Sequence, residues 1–326
     1  IKVAQVTNTS VGGLGKLTKQ ITTLATTFGV SSAKLIEVSR ILAQTGIGAK
    51  NTAIALDALA KSTLAATFGD INQTAEGSIA IMRQFGIAAN GLERALGAIN
   101  SVASKFAVES EDIIAAVRRA GGVFAATSKG VVEGQRALEQ FIALFTSVRA
   151  TTRESAESIA TGLRTIFTRI QRGSTIRLLR EFGAELQDVE GKFVGPFEAI
   201  KRLSTLLKDR SLRSEEVAKI LEELGGFRQI SKVIPLIQQF ATAQSALKVA
   251  QEGQDSLAKD AAVAQQALQV QLTKTKEKFL ALFREITGSS AFKFITQSVL
   301  SITNQLIGLA SAIKPILPAL TAFATF

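Results

Sequence analysis

Arginine is the residue type whose spacing in this chain most invites a chemical reading. From Arg149 to Arg180 the sequence runs RATTRESAESIATGLRTIFTRIQRGSTIRLLR, with seven arginines, two glutamates and no lysine. That stretch, about a tenth of the chain, carries five of its eleven surplus positive charges. Guanidinium groups suit both phosphate and carboxylate, because their planar fork of N–H donors matches either anion. A second candidate is Gly12-Gly13-x-Gly15-Lys16, which resembles a phosphate loop only superficially. It lacks the preceding strand, the full eight-residue spacing and the hydroxyl residue after the lysine.

What is missing excludes more than what is present suggests. The 326 residues contain no His, Cys, Trp or Tyr and one Met. Without Cys and His the usual zinc, iron–sulfur, haem and blue-copper ligand sets cannot be built. Ser–His and Cys–His nucleophilic catalysis is excluded with them. Acid–base chemistry would fall to Asp, Glu or Lys, and no close carboxylate pair stands in an apolar context. The chain reads as a non-enzyme without catalytic residues, cofactor or metal. Its length fits about two domains at roughly 150 residues each. It also reads as a segment of a longer polypeptide, with no signal peptide at its start.

The elements that must position the arginines are helices. Apolar residues recur at three- and four-residue spacing almost throughout, and four prolines leave little room for a β domain. Glycines punctuate the runs, as expected where a left-handed residue closes a last helical turn. The expected fold is all-α, short hairpins or a bundle followed by a long helix and a hydrophobic C-terminal helix. Residues 1–150 form a helical-hairpin bundle on this reading, with runs over 32–45, 51–66, 74–85, 91–106, 110–120 and 131–148. The Gly121-Gly122 pair is read as a stop. Thr27-Phe28-Gly29 and Thr67-Phe68-Gly69 lie 40 residues apart, which fits a stacked array of hairpins or a compact bundle with similar loops. Residues 151–240 form a second subdomain. Thr151 with Glu154 reads as a capping box, a Gly/Pro loop with β-like alternation spans 183–197, and Pro196 and Pro235 each sit where a helix starts.

Residues 241–287 read as one long amphipathic helix with Leu257, Ala261, Ala264, Leu268, Leu272, Phe279, Phe283 and Ile286 on a single stripe. In 288–326, Ile295, Val299, Ile302, Leu306, Leu309 and Ile313 step by four and three, with amides and serines opposite. That pattern suits a self-association seam. The same stretch carries a single charge from Phe294 onward, Lys314, and is also long enough to enter a membrane.

For the arginines, a solvated or packed helix face competes with an anion grip. At 100° per residue Arg169 lies about 140° around from Arg164. No helix-turn-helix or zinc motif accompanies them, and only Phe is available for base stacking. A DNA grip would show binding that falls steeply with salt. Arg164, Arg169, Arg172, Arg177 and Arg180 are retained as candidate contacts to acidic helices, with no sequence-specific nucleic-acid role.

Several runs resemble the core region of phage tail tape measure proteins: ILAQTGIGAKNTAIALDALAKSTLAA, INQTAEGSIAIMRQFG, ALGAINSVASKFAVESEDIIAAVRRAGGVFAA and FTSVRATTRESAESIATGLRTIFTRIQR. Gly162-Leu163-Arg164 and Ile170-Gln171-Arg172 match one step of that pattern. Gly183, Asp188, Gly191 and Phe197 match the next, and Gly225 or Gly226 with Arg228 match the closing one. The resemblance covers about residues 36–240, and departs from the family at Thr151-Thr152-Arg153, where a plain glycine turn is usual. It implies a virion protein of the tail tube lumen and tail tip. Such a protein sets tail length, helps assembly begin at the tip and leaves before DNA passes. The implied partners are other copies of itself, often three, the tail tube, tail-tip or baseplate proteins, and the host membrane during infection. A basic chain would suit an acidic lumen. The competing expectation is a membrane-active helical protein that forms a channel through its C-terminal hydrophobic segment.

Overall fold

Caps and glycines divide the chain into helices much as the spacing suggests. The computed structural model describes residues 11–208 and 215–288. Among them every regular element is helical, and the only strand-like pairing is an isolated antiparallel bridge, Gln187 to Phe193, in the 183–197 loop. Helices α1 (Val11–Phe28), α2 (Ser32–Gln44) and α3 (Ala49–Ser62) pack on one another. The glycines and lysine of the phosphate-loop look-alike lie inside α1. Helix α4 (Ile71–Phe85) opens at Asp70, whose carboxylate accepts the backbone N–H groups of Asn72 and Gln73 at 2.7 and 2.9 Å. Such a cap satisfies donors that the first turn leaves free. Helix α5 (Leu92–Lys105) packs on α3 and α4.

The expected stop at Gly121-Gly122 is not a stop. Helix α6 (Ser110–Ala116) runs through a π turn, Val117–Gly121, into α7 (Gly122–Ser128). A Cβ at Gly121 would lie 2.5 Å from Gln84 Oε1 and 2.9 Å from Phe85 Cε2. That glycine admits the end of α4 rather than ending a helix.

Helix α8 (Gly134–Thr152) is the centre of the unit. Residues 141–148 are all buried, as expected of a helix apolar on every side. Phe141 meets Phe85, Phe124 and Phe167 at ring-centroid distances of 6.2, 5.7 and 6.4 Å, and Phe124 meets Phe167 at 5.0 Å. These tilted and edge-on pairs join four helical segments. The remaining helices are α9 (Ala156–Ile170), α10 (Gly173–Glu181), α11 (Pro196–Leu207), α12 (Glu215–Gly225), α13 (Ile230–Gln238), α14 (Phe240–Glu252), α15 (Ser256–Ala264) and α16 (Leu268–Gly288). The described residues through Lys274 make one compact unit, and Thr275–Gly288, the rest of α16, belongs to a second. One contiguous core runs from Leu17 to Leu257. Helix α14 lies against α8 and α5, far away in sequence, so this is a compact bundle and not a row of stacked hairpins.

Three expectations change. The capping box at Thr151 and Glu154 does not form. Thr151 and Thr152 end α8 and donate their hydroxyls back to the carbonyls of Ser147 and Val148 at 2.8 and 3.0 Å. Arg153 then turns left-handed (φ 57°), and Ser155 caps α9 through the Ser158 N–H at 3.3 Å. Threonine can satisfy itself within a helix in this way, so it need not mark a start. Pro235 stands inside α13, which begins at Ile230.

The long helix over 241–287 is three helices. Its first break wraps the chain around α5. Ser256 donates to the Gly97 carbonyl at 2.7 Å, Asn100 donates to Ser256 Oγ and Asp260 Oδ2 at 3.0 and 2.7 Å, and Gln254 donates to Glu139 at 2.9 Å. Asn100 and Glu139 are each 1% exposed. A buried amide and carboxylate must find partners, and the bend at Gly253–Asp255 supplies them.

Candidate interaction surface

The arginine-rich stretch is built on α9. Its inner face buries Ile159, Leu163, Ile166, Phe167 and Ile170. Its outer face carries Thr161, Arg164, Thr165 and Thr168. The three threonine hydroxyls donate to carbonyls one turn back at 2.7–3.1 Å, which leaves the guanidinium groups as the dominant polar presence. Arg119, from the π turn, joins this face through Thr161 Oγ1 at 2.8 Å.

The seven arginines divide by role. Arg149 pairs with Asp112 at 2.8 Å, both mostly buried, and ties α8 to α6. Arg153 donates to the Ala107 carbonyl. Arg169 reaches the end of α12 and donates to the carbonyls of Glu222 and Glu223 at 2.9 and 3.0 Å. Those oxygens lie in the last turn of α12, where that of Glu222 also accepts the Gly226 N–H, and a cation there meets the negative end of the helix dipole. Arg180 pairs with Glu185 at 2.7 Å and also contacts Gln187. Both members of that pair are half exposed, the Arg180 guanidinium holding Glu185 below the usual carboxylate range. Arg164, Arg172 and Arg177 are exposed and make no ion pair among the described residues.

Of the five arginines singled out, the structure brings three together. Arg164, Arg169 and Arg172 line a shallow concavity of about 300 Å³ with Val123, Thr165 and Thr168, and no acidic side chain lines it. The angular scatter along one helix misled because Arg172 stands at the start of α10 and Arg169 extends sideways to α12. Arg180 lines a separate concavity with Glu185, Gln187, Asp188, Val189, Gly191 and Arg202. Arg177 lines neither.

Sequence reasoning missed two features beside this surface. Phe227, after Gly226 at the end of α12, is 79% exposed. Lys232, on α13, is buried and bonded to Glu154 at 2.6 Å, their side chains 9% and 32% exposed. The Lys232 ammonium beside Glu154 holds that carboxyl below its ordinary value of 4.5. A carboxylate with a depressed value contributes stability above the unfolded-state value and loses it as pH falls through the folded-state one. Glu154→Gln should therefore cost about 2 kcal/mol near neutral pH, less than for a fully buried pair because Glu154 is partly wet. The cost should shrink below about pH 4.5. Urea melts of both proteins at pH 7 and pH 3.5 measure this, and an equal difference at the two values would refute it.

The seam Ile295, Val299, Ile302, Leu306, Leu309 and Ile313 lies outside the described residues. Among the described residues no helix is long and apolar enough to cross a membrane, and no cluster of acidic residues could hold a metal ion.

Comparison with known proteins adds one positive finding. A family model described as phage-related minor tail protein matches residues 18–226, more than half of the chain. No solved structure matches it.

Proposed function

Because the chain belongs to the phage-related minor tail protein family, a structural family of the virion tail, we propose that it acts as a tail tape measure protein. On this reading it lies within the tail tube, sets tail length through the helical length of the complete polypeptide, helps assembly begin at the tip, and leaves before DNA is ejected. The observation that carries the reading is the family match over residues 18–226. The all-helical fold and a sequence without Cys or His support it. The family also suggests a role other than catalysis. Its partners are other copies of itself, three in the simplest arrangement, together with tube and tip proteins.

A ruler converts residues to length at about 1.5 Å each when helical. Inserting about 28 helix-forming residues after Gly288, in the full-length protein of the phage that encodes it, should lengthen the tail by about 42 Å. Electron micrographs of the tails measure this. Well-assembled tails of unchanged length would sink the tape measure reading and leave membership of the family intact.

A further inference from the structure

We propose that the three-arginine concavity and Phe227 together form a docking surface for an acidic helix with an apolar stripe, presented by another tail protein. The inference rests on the tail reading for the partner's setting, and on the surface itself for the partner's chemistry.

Phe227 is held out by construction. Gly226 takes a left-handed backbone (φ +64°), which costs glycine nothing. Its N–H donates to the Glu222 carbonyl at 2.6 Å, and the Gln229 N–H donates to the Gly226 carbonyl at 3.2 Å. Arg169 grips the same end of α12, its Nη1 3.4 Å from where a Cβ on Gly226 would stand. The residue that lines the concavity thus also braces the turn that carries the phenyl ring. Exposed Arg228 follows Phe227. An exposed aromatic ring beside arginines is the composition that dominates binding energy at protein interfaces.

The charge decides the partner. Among the described residues Arg164 and Arg172 are exposed without an ion pair, and none of the concavity's lining is acidic. With Arg119 nearby on the same face, a second copy presenting this surface would meet like charge, so a carboxylate-rich partner fits better. A nucleic acid would call for a basic stripe long enough to follow a backbone. Here the cations converge on one small concavity that Val123 also lines, and Arg180, further along, is already paired.

The test uses the whole 326-residue chain and fluorescence anisotropy. The probes are a peptide of about 20 residues with glutamates on one helical face and leucines on another, a variant with alanine for leucine, and a DNA duplex of similar charge. Phe227→Ser should weaken the leucine peptide about tenfold and leave the alanine peptide unchanged. Arg164→Glu with Arg172→Glu should weaken both peptides by at least about tenfold. Arg169 stays unaltered because it holds α12, and circular dichroism confirms that the variants fold. Three outcomes would overturn the proposal: no binding of the leucine peptide, tighter binding of DNA than of either peptide, or self-association that Phe227→Ser abolishes. None of them bears on tail length, so failure here is distinguishable from failure of the tape measure reading.

Discussion

Phe141→Ala should lower the stability of the compact unit by about 4 kcal/mol, more than any other single truncation in the core. Phe141 has no exposed surface and meets three other rings, from α4, α7 and α9. Removing it deletes the transfer free energy of a phenyl ring and leaves a void that four helices cannot close without shifting together. At roughly 2–4 °C per kcal/mol for a domain of this size, the melting temperature should fall by about 8–16 °C. Phe141→Leu, which keeps most of the volume, should recover more than half of that. A thermal melt of the alanine variant within about 2 °C of the parent would show that the cluster is not the centre of the core.

The second large effect is expected at Gly97. A Cβ there would lie 2.2 Å from the Gln254 carbonyl oxygen and 2.8 Å from its carbon, and backbone cannot rotate aside as a flexible side chain can. Gly97→Val should therefore push the turn between α14 and α15 off α5. With it would go the Ser256 bond to the Gly97 carbonyl and the Asn100 bonds to Ser256 and Asp260. Overpacking of this kind costs about 3 kcal/mol, and stranding the buried Asn100 amide adds to it. Amide hydrogen exchange should rise over 253–264 while the 141–148 stretch of α8 stays protected. Parent-like protection at 253–264 would mean that the turn is held by something other than its seat on α5.

The residues that made the fold legible are those whose local chemistry and tertiary role agree. Pro196 begins α11 and the glycine at 86 ends α4 in a left-handed conformation, both as their residue types suggest. Misreadings arose where local chemistry allows two roles. Thr151 can cap or back-bond, and does the second. Gly121 can stop a helix or admit a neighbour, and also does the second. The division of 241–287 was illegible for a different reason. The first break, at Gly253–Asp255, is seated on Gly97, Asn100 and Glu139, more than 100 residues away, and no periodicity within the segment registers it. The arginine surface was half legible. Composition marked the stretch, but that Arg164, Arg169 and Arg172 converge, and that Phe227 is left exposed beside them, depends on the packing of α12 against α9.

The seat of α15 on α5 also sets how the unit bears a load. Tension arriving along the chain from beyond Ala264 reaches the bonds of Asp260, Ser256 and Gln254 one after another, in series. They open by peeling, each at the small force that breaks a single hydrogen bond. The rings around Phe141 are contributed by four helical segments and share a load in parallel, so they yield only together. A pulled molecule would thus release α15 first, while the ring cluster stays closed.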